Sequence, residues 1–173
     1  TYFIYLHMRH TFLLICCLAF FSSTVTAQKN NYRVAVIGFY NLENLYDTIN
    51  DPSKDDEEFL PNGARLYNSH VYWDKQSRLA HVLSEIGKEV SPDGLALTGG
   101  AEIENDTVLH DLVKQPLLKD RNWQIVHYNS PDVRGVDVGL LYNPKYFRVL
   151  KSASLFVQLP GGAKESFLTR DIL

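Results

Sequence analysis

Two stretches decide how the chain is read: RVAVIGFYNLENLYD over residues 33–47 and LALTGGAEIEN over residues 95–105. Each opens as an apolar run rich in β-branched residues, the composition of a buried strand. Each then meets a polar side chain, Asn41 in the first and Glu102 in the second. Polar groups just past the C-terminal ends of neighbouring strands line the crevice in which open α/β sheets bind their ligands. A carboxylate there suits Mg²⁺, which takes one or two protein carboxylates and leaves its other positions to water and phosphate. On spacing alone a second reading is the stronger one. Asn41 is then a turn residue, and Glu102 a charge favoured by the dipole of a following helix.

Outward from these stretches, residues 47–63 carry turn signals (Asp51-Pro52 and Pro61-Asn62-Gly63) and no apolar period, which predicts a loop. Its acidic run, Asp55 to Glu58, reads as solvated, because it lacks the ligand spacing and central glycine of a calcium-binding hand. Residues 73–86 predict a helix with Leu79, Val82, Leu83 and Ile86 on one stripe, Gly87 as its stop and His81 off the stripe. Val108, Leu109, Leu112 and Val113 mark a second helix that Pro116 ends. Further strands are expected over 123–128, 136–142, 147–150 and 154–159, with Asn143-Pro144 turning a hairpin. Strand, helix, strand, helix and then several strands is the pattern of an α/β (α+β) sandwich.

The N-terminus reads differently. Met8-Arg9-His10 is a short positive start, residues 12–21 are apolar, and Val25-Thr26-Ala27 supplies the small residues of a cleavage site. That is the pattern of a secretory signal peptide over residues 1–27, with Met8 expected as the true start. The apolar run falls short of the roughly 20 residues a membrane span requires. The expected location is therefore secreted or periplasmic, with no membrane span after cleavage. Cys16 and Cys17 are the chain's two cysteines and both lie in this segment, so no cysteine-type structural zinc site is expected beyond it. Removing Arg9 takes the 17 basic and 20 acidic residues to 16 and 20, a net charge of −4. With no basic stripe, strong charge-driven binding to nucleic acid is not indicated. A small or metal-bridged phosphate is compatible with this balance. The sequon Asn105-Asp106-Thr107 bears on function only in a eukaryotic secretory pathway.

Four segments in order, Tyr40 to Asp47, Tyr72 to Lys75, Glu102 to Asn105 and His127 to Tyr142, resemble the motifs of the endonuclease/exonuclease/phosphatase superfamily, the deoxyribonuclease I-like enzymes. The resemblance is greatest to a secreted bacterial branch and extends from Val34 to Leu173. It implies a four-layer α/β/β/α sandwich of which this chain carries about the first half. It also implies hydrolysis of phosphate esters with a divalent metal, Mg²⁺ foremost and Mn²⁺ or Ca²⁺ as alternatives. By the same resemblance Glu102 binds the ion and Asn41 positions metal or phosphate.

Tyr128, Arg134 and Asp137 lie in the fourth segment and are candidate substrate contacts. Arg134 has the fork geometry to clamp a phosphate, and Asp137 the charge to pair with a cation. The alternatives are a surface ion pair beside the Gly135 turn and a polar residue satisfied between strands. For His127 the expectation is a strand residue near Trp123. The family's later Gly-Asp-x-Asn and Ser-Asp-His motifs do not occur in the chain. Residues 28–173 are therefore expected to be a C-terminally truncated domain, with the missing half of that domain as its partner and little hydrolysis on its own. A secreted, non-catalytic binding protein or a decayed half-fold is the alternative. Nucleic acid, lipid and sugar phosphate all remain open as substrates. Gly99-Gly100 departs from the apolar approach usual before the glutamate, and is expected to loosen the placement of Glu102.

Overall fold

The computed structural model describes residues 32–156 and 171–172, and those from Val34 on belong to one compact unit. The segment read as a signal peptide lies outside the described residues, as does most of the strand expected over 154–159.

Four strands make one mixed sheet. They are β1 (Val36–Leu45), β2 (Leu95–Ile103), β3 (Gln124–His127) and β4 (Asp137–Tyr142), in the order β1-β2-β4-β3. β1 runs parallel to β2, whereas β4 is antiparallel to both β2 and β3. The parallel pair needs a crossover, and α1 (Ser69–Glu85) provides it. The second helix, α2 (Asp106–Val113), links β2 to β3. Two short strands, β5 (Leu155–Phe156) and β6 (Asp171–Ile172), pair antiparallel in a separate ribbon. The α/β class expected from the sequence is the class observed. Among the described residues no helix is long and apolar enough to cross a membrane.

β1 shows why one face of the sheet is the core. Its burial alternates, so Ile37, Phe39, Asn41 and Glu43 are exposed while Tyr40 and Leu42 turn inward. Leu42, Leu95, Ile103 and Leu141 from the sheet meet Leu79 and Leu83 of α1 and Val108, Leu109 and Leu112 of α2 in a single core. Each such side chain contributes roughly 1.5–3 kcal/mol when fully buried. On the other face Ile37 and Phe39 are 65% and 69% exposed.

Both helices are capped by asparagine. Asn68 accepts from the backbone of His70 and Val71, and Asn105 from that of Val108. α1 begins four residues before the expected 73, and its stripe carries a polar member: Gln76 is fully buried and donates to Tyr72 Oη and to the Val108 carbonyl, both at 3.0 Å. Val82 and Ile86, expected on the stripe, are only half-buried, while His81 is exposed. The tie from Gln76 to α2 is what takes the stripe out of register with an apolar count.

Three expectations are corrected. Residues 147–150 form no strand, because the chain turns instead at Asn143. The Asn143 N–H still binds the Ala96 carbonyl in register with the ladder, but its side chain accepts from Lys145 N and its carbonyl from Tyr146 N and Phe147 N, which turns the chain out of the sheet. The acidic run is not wholly solvated: Asp56 is 2% exposed and accepts from Asp51 N. Beside it a short 3-10 turn (Glu57–Phe59) stacks Phe59 on Tyr46 at 4.0 Å. Finally, the glycines do not loosen β2. Gly99 pairs with Phe39 and Leu140, and Gly100 with Tyr40 and Gly139, so the strand stays laddered on both sides.

The Gly100–Gly139 pair has a packing reason. A Cβ on Gly139 would lie 3.0 Å from the Cδ1 atoms of Ile103 and Leu109, and one on Gly100 3.1 Å from Ile103 Cδ1. The bare backbone is what lets those side chains settle on the sheet. Gly139→Val should therefore lower stability by about 1–3 kcal/mol through overpacking, read as a shift in the denaturation midpoint. An unchanged midpoint would show that the core has slack at this point.

Candidate active site

The parallel pairing of β1 and β2 brings their C-terminal ends side by side, and there the regular ladder breaks. Asn41 pairs with Ala101, and the next pair is Leu45 with Ile103. Toward β4 the ladder also steps from Ala101 to Ile103. Glu102 is thus a bulge residue unpaired on both sides. Its φ is +61°, and Glu43 and Asn44 opposite have φ of +53° and +59°. Three non-glycine residues in the left-handed region, at about 1–3 kcal/mol each, mark a place whose geometry is over-determined by its surroundings.

What the distortion produces is a fixed carboxylate. Asn41 Nδ2 donates to Glu102 Oε1 at 3.1 Å, and the Asn44 backbone N–H donates to Oε2 at 2.9 Å. Asn41 Oδ1 in turn accepts from Glu43 N at 2.8 Å. Asn41 therefore turns its amide nitrogen toward the glutamate while its oxygen holds the β1 bulge. Lys75 of α1 completes the arrangement, donating from Nζ to the carbonyls of Glu43 and Asn44, the latter at 2.9 Å. Burial lowers the pKa of Lys75, and the charges of Glu43 and Glu102 oppose that shift.

Arg134 stands close enough to Glu102 for the carboxylate to help hold its charge, though the larger cause is its hydrogen bond with Asp132. The guanidinium meets Asp132 through two contacts, Nε to Oδ1 at 3.2 Å and Nη2 to Oδ2 at 3.1 Å. Asp132 is fully buried, whereas the Arg134 side chain is 44% exposed. The Arg134 carbonyl accepts from Tyr46 Oη at 2.6 Å, which ties its loop to β1. Burial, foremost, raises the pKa of that tyrosine.

The two other candidates sit differently. Asp137 is 3% exposed, and its oxygens accept from Ser130 N at 2.8 Å and meet His127 Nε2 at 2.9 Å. Both are engaged in joining β3 to β4. Tyr128 is half-buried, with its hydroxyl 2.7 Å from Ser152 Oγ. The structure brings Asn41 and Glu102 into contact and Arg134 into their field. Tyr128 and Asp137 make their contacts elsewhere.

Sequence reasoning placed Lys75, Asn44 and Glu104 within the matching segments but gave none of them a role. The last lines a cavity of about 320 Å³ together with Asp47, Asp51, Asp56, Arg134 and Asp137. Most of these oxygens serve the loop itself. Asp47 Oδ1 accepts from Ile49 N and Oδ2 from Asn105 Nδ2, while Glu104 Oε2 accepts from Asp47 N at 2.6 Å. Burial, foremost, pushes the Glu104 carboxyl up to about 8, with Asp47, Asp56 and Asp51 adding to the shift and the Asp47 N–H opposing it.

Among the described residues no three histidine, cysteine or acidic side chains converge as a metal cage. A magnesium-type site needs no such cage. One oriented, half-buried carboxylate at the sheet end fits an ion that shares its coordination with water and phosphate, and Arg134 nearby suits the phosphate rather than the ion.

Residues 36–173 match the model of the Endonuclease/Exonuclease/phosphatase family. No curated protein and no solved structure matches the chain. The match covers most of the chain, which therefore belongs to this family.

Glu104 makes the pH dependence of stability specific. Its carboxyl rises from the ordinary 4.5 to about 8 on folding. Between those values the unfolded chain has released a proton that the folded chain keeps, so stability falls as pH rises through this window. Below about 4.5 the contribution is fully present, and above about 8 it is lost. Glu104→Gln should flatten the decline in denaturation midpoint from pH 5 to pH 8 in chelator. A slope equal to that of the parent would sink this assignment.

Proposed function

We propose that this member of the Endonuclease/Exonuclease/phosphatase family is an exported, divalent-metal-dependent hydrolase of phosphate esters, with Glu102 as the ligand of the ion. The observation that carries the reading is the bulged Glu102 carboxylate, held by Asn41 Nδ2 and Asn44 N at the paired ends of β1 and β2. Export rests on the charged, apolar and small-residue order of residues 8–27.

In this reading Asn41 is the orienting group, since its oxygen is committed to Glu43 N. Arg134, already forked with Asp132, presents its exposed edge to a phosphoryl oxygen. Bound at Glu102, a divalent ion such as Mg²⁺, or Mn²⁺ or Ca²⁺ in its place, supplies Lewis-acid stabilisation of the charge that develops on phosphorus-bound oxygen. The chain's own part is to fix the carboxylate, place a cation against the ester and keep both aligned. No residue of the chain is assigned to activating water. A small ester fits the site better than a long polyanion, because Asp47, Asp51, Asp56, Glu104 and Asp137 line the cavity that Arg134 also borders.

The decisive test is a titration of the chain with Mn²⁺, followed by hydrolysis of a chromogenic phosphodiester in Mg²⁺. One ion per chain is expected, with Glu102→Gln weakening binding at least about 10-fold. Any turnover should disappear in chelator and fall about 10²–10³-fold in the variant. A chain that binds no divalent ion, or a variant that binds it as tightly as the parent, refutes the reading.

A further inference from the structure

We propose that Lys75 is a positioning residue for the Glu102 site, holding the left-handed backbone of Glu43 and Asn44 against the glutamate. The inference rests on the reading of Glu102 as the metal ligand, but its structural content can be tested apart from that reading.

The geometry is a relay of three steps. Lys75 Nζ donates to two successive carbonyls, those of Glu43 and Asn44. These belong to the two left-handed residues of β1, at φ +53° and +59°. The N–H of Asn44 then donates to Glu102 Oε2, so the orientation of that amide decides where the carboxylate lies. A left-handed non-glycine pair reverts to a less costly conformation unless something holds it. Two charge-assisted hydrogen bonds from one ammonium are a sufficient hold. Lys75 can supply them because it stands on α1, whose own position is set by its core stripe and by Gln76 reaching α2. A rigid helix thereby fixes a strained strand end.

The choice of residue is also chemical. A lysine ammonium is a compact charge with three donors, able to serve two adjacent carbonyls from one atom. Arginine keeps the charge but spreads its donors over a planar fork that does not match this pair. Lys75 also lies in the field of Glu102, where its charge offsets some of the repulsion between that carboxylate and Glu43.

The experiment is amide hydrogen exchange over residues 43–45 in the parent, Lys75→Met and Lys75→Arg, combined with Mn²⁺ titration of each. Lys75→Met should speed exchange of the Asn44 amide about 10-fold or more and weaken Mn²⁺ binding about 10-fold, as loss of an outer-shell partner does. Lys75→Arg should fall between the two. Adding Glu43→Gly to Lys75→Met should slow the exchange again, because glycine adopts the left-handed conformation without strain. It also gives a folded background should Lys75→Met alone fail to fold. Unchanged exchange at Asn44 in Lys75→Met, or exchange in the double variant that stays faster than the parent by the same factor as in Lys75→Met, overturns the inference whatever the metal does. Faster exchange with no Mn²⁺ bound by any of the proteins, parent included, leaves the positioning role standing and removes the metal reading instead.

Discussion

The structure depends on one local break in a regular ladder. From Ile37 and Leu97, β1 and β2 run in parallel register until Asn41 and Ala101, and then both leave it, with Glu43, Asn44 and Glu102 in the left-handed region before pairing resumes at Leu45 and Ile103. Everything placed around this point holds it there: Lys75 from α1, the side chain of Asn41, and the Glu104 N–H bound to the Leu45 carbonyl. The strain is local and the restraints come from separate elements. Such a feature persists only because the whole fold is correct around it.

The core serves this break from below. Ile103 is fully buried directly after Glu102, and the glycine pair beneath it lets Ile103 and Leu109 lie close to the sheet. With Ile103 anchored inward and Ala101 laddered, Glu102 has little freedom in where it points. The glycines that look like weak strand residues are therefore part of what fixes the site. Asn105 adds a second anchor, capping α2 with one atom and holding Asp47 with another.

Much of this was legible in the sequence, for identifiable reasons. The apolar runs leading to Asn41 and Glu102 were legible as strands because strand periodicity is a local signal, but both residues, expected just past their strands, lie inside them, since β1 continues to Leu45 and β2 to Ile103. The helix stripe was half legible: Leu79 and Leu83 follow the period, but Gln76 is buried by a partner on α2 that no local pattern announces. The bulge was not legible, since left-handed φ at Glu43, Asn44 and Glu102 carries no glycine signature. Nor was Lys75 or Asp56, whose surroundings are set by contacts across many residues of chain. The strand expected over 147–150 failed because the turn at Asn143, whose carbonyl accepts from Tyr146 N and Phe147 N, competes with continuation of the strand. Apolar composition alone does not record that competition.

The pairing of Arg134 with Asp132 bears on timing as much as on geometry. A free arginine surrenders about 2 kcal/mol of rotamer entropy when it is immobilised on a ligand. Here the fully buried Asp132 has already selected the rotamer during folding, through two contacts and a third from the Arg134 backbone N–H at 2.9 Å. An anion arriving at the exposed edge of that guanidinium meets a side chain with little disorder left to lose. Under the proposed function the consequence would be kinetic as well as thermodynamic: capture would be a single docking event, with no search among side-chain conformations after contact.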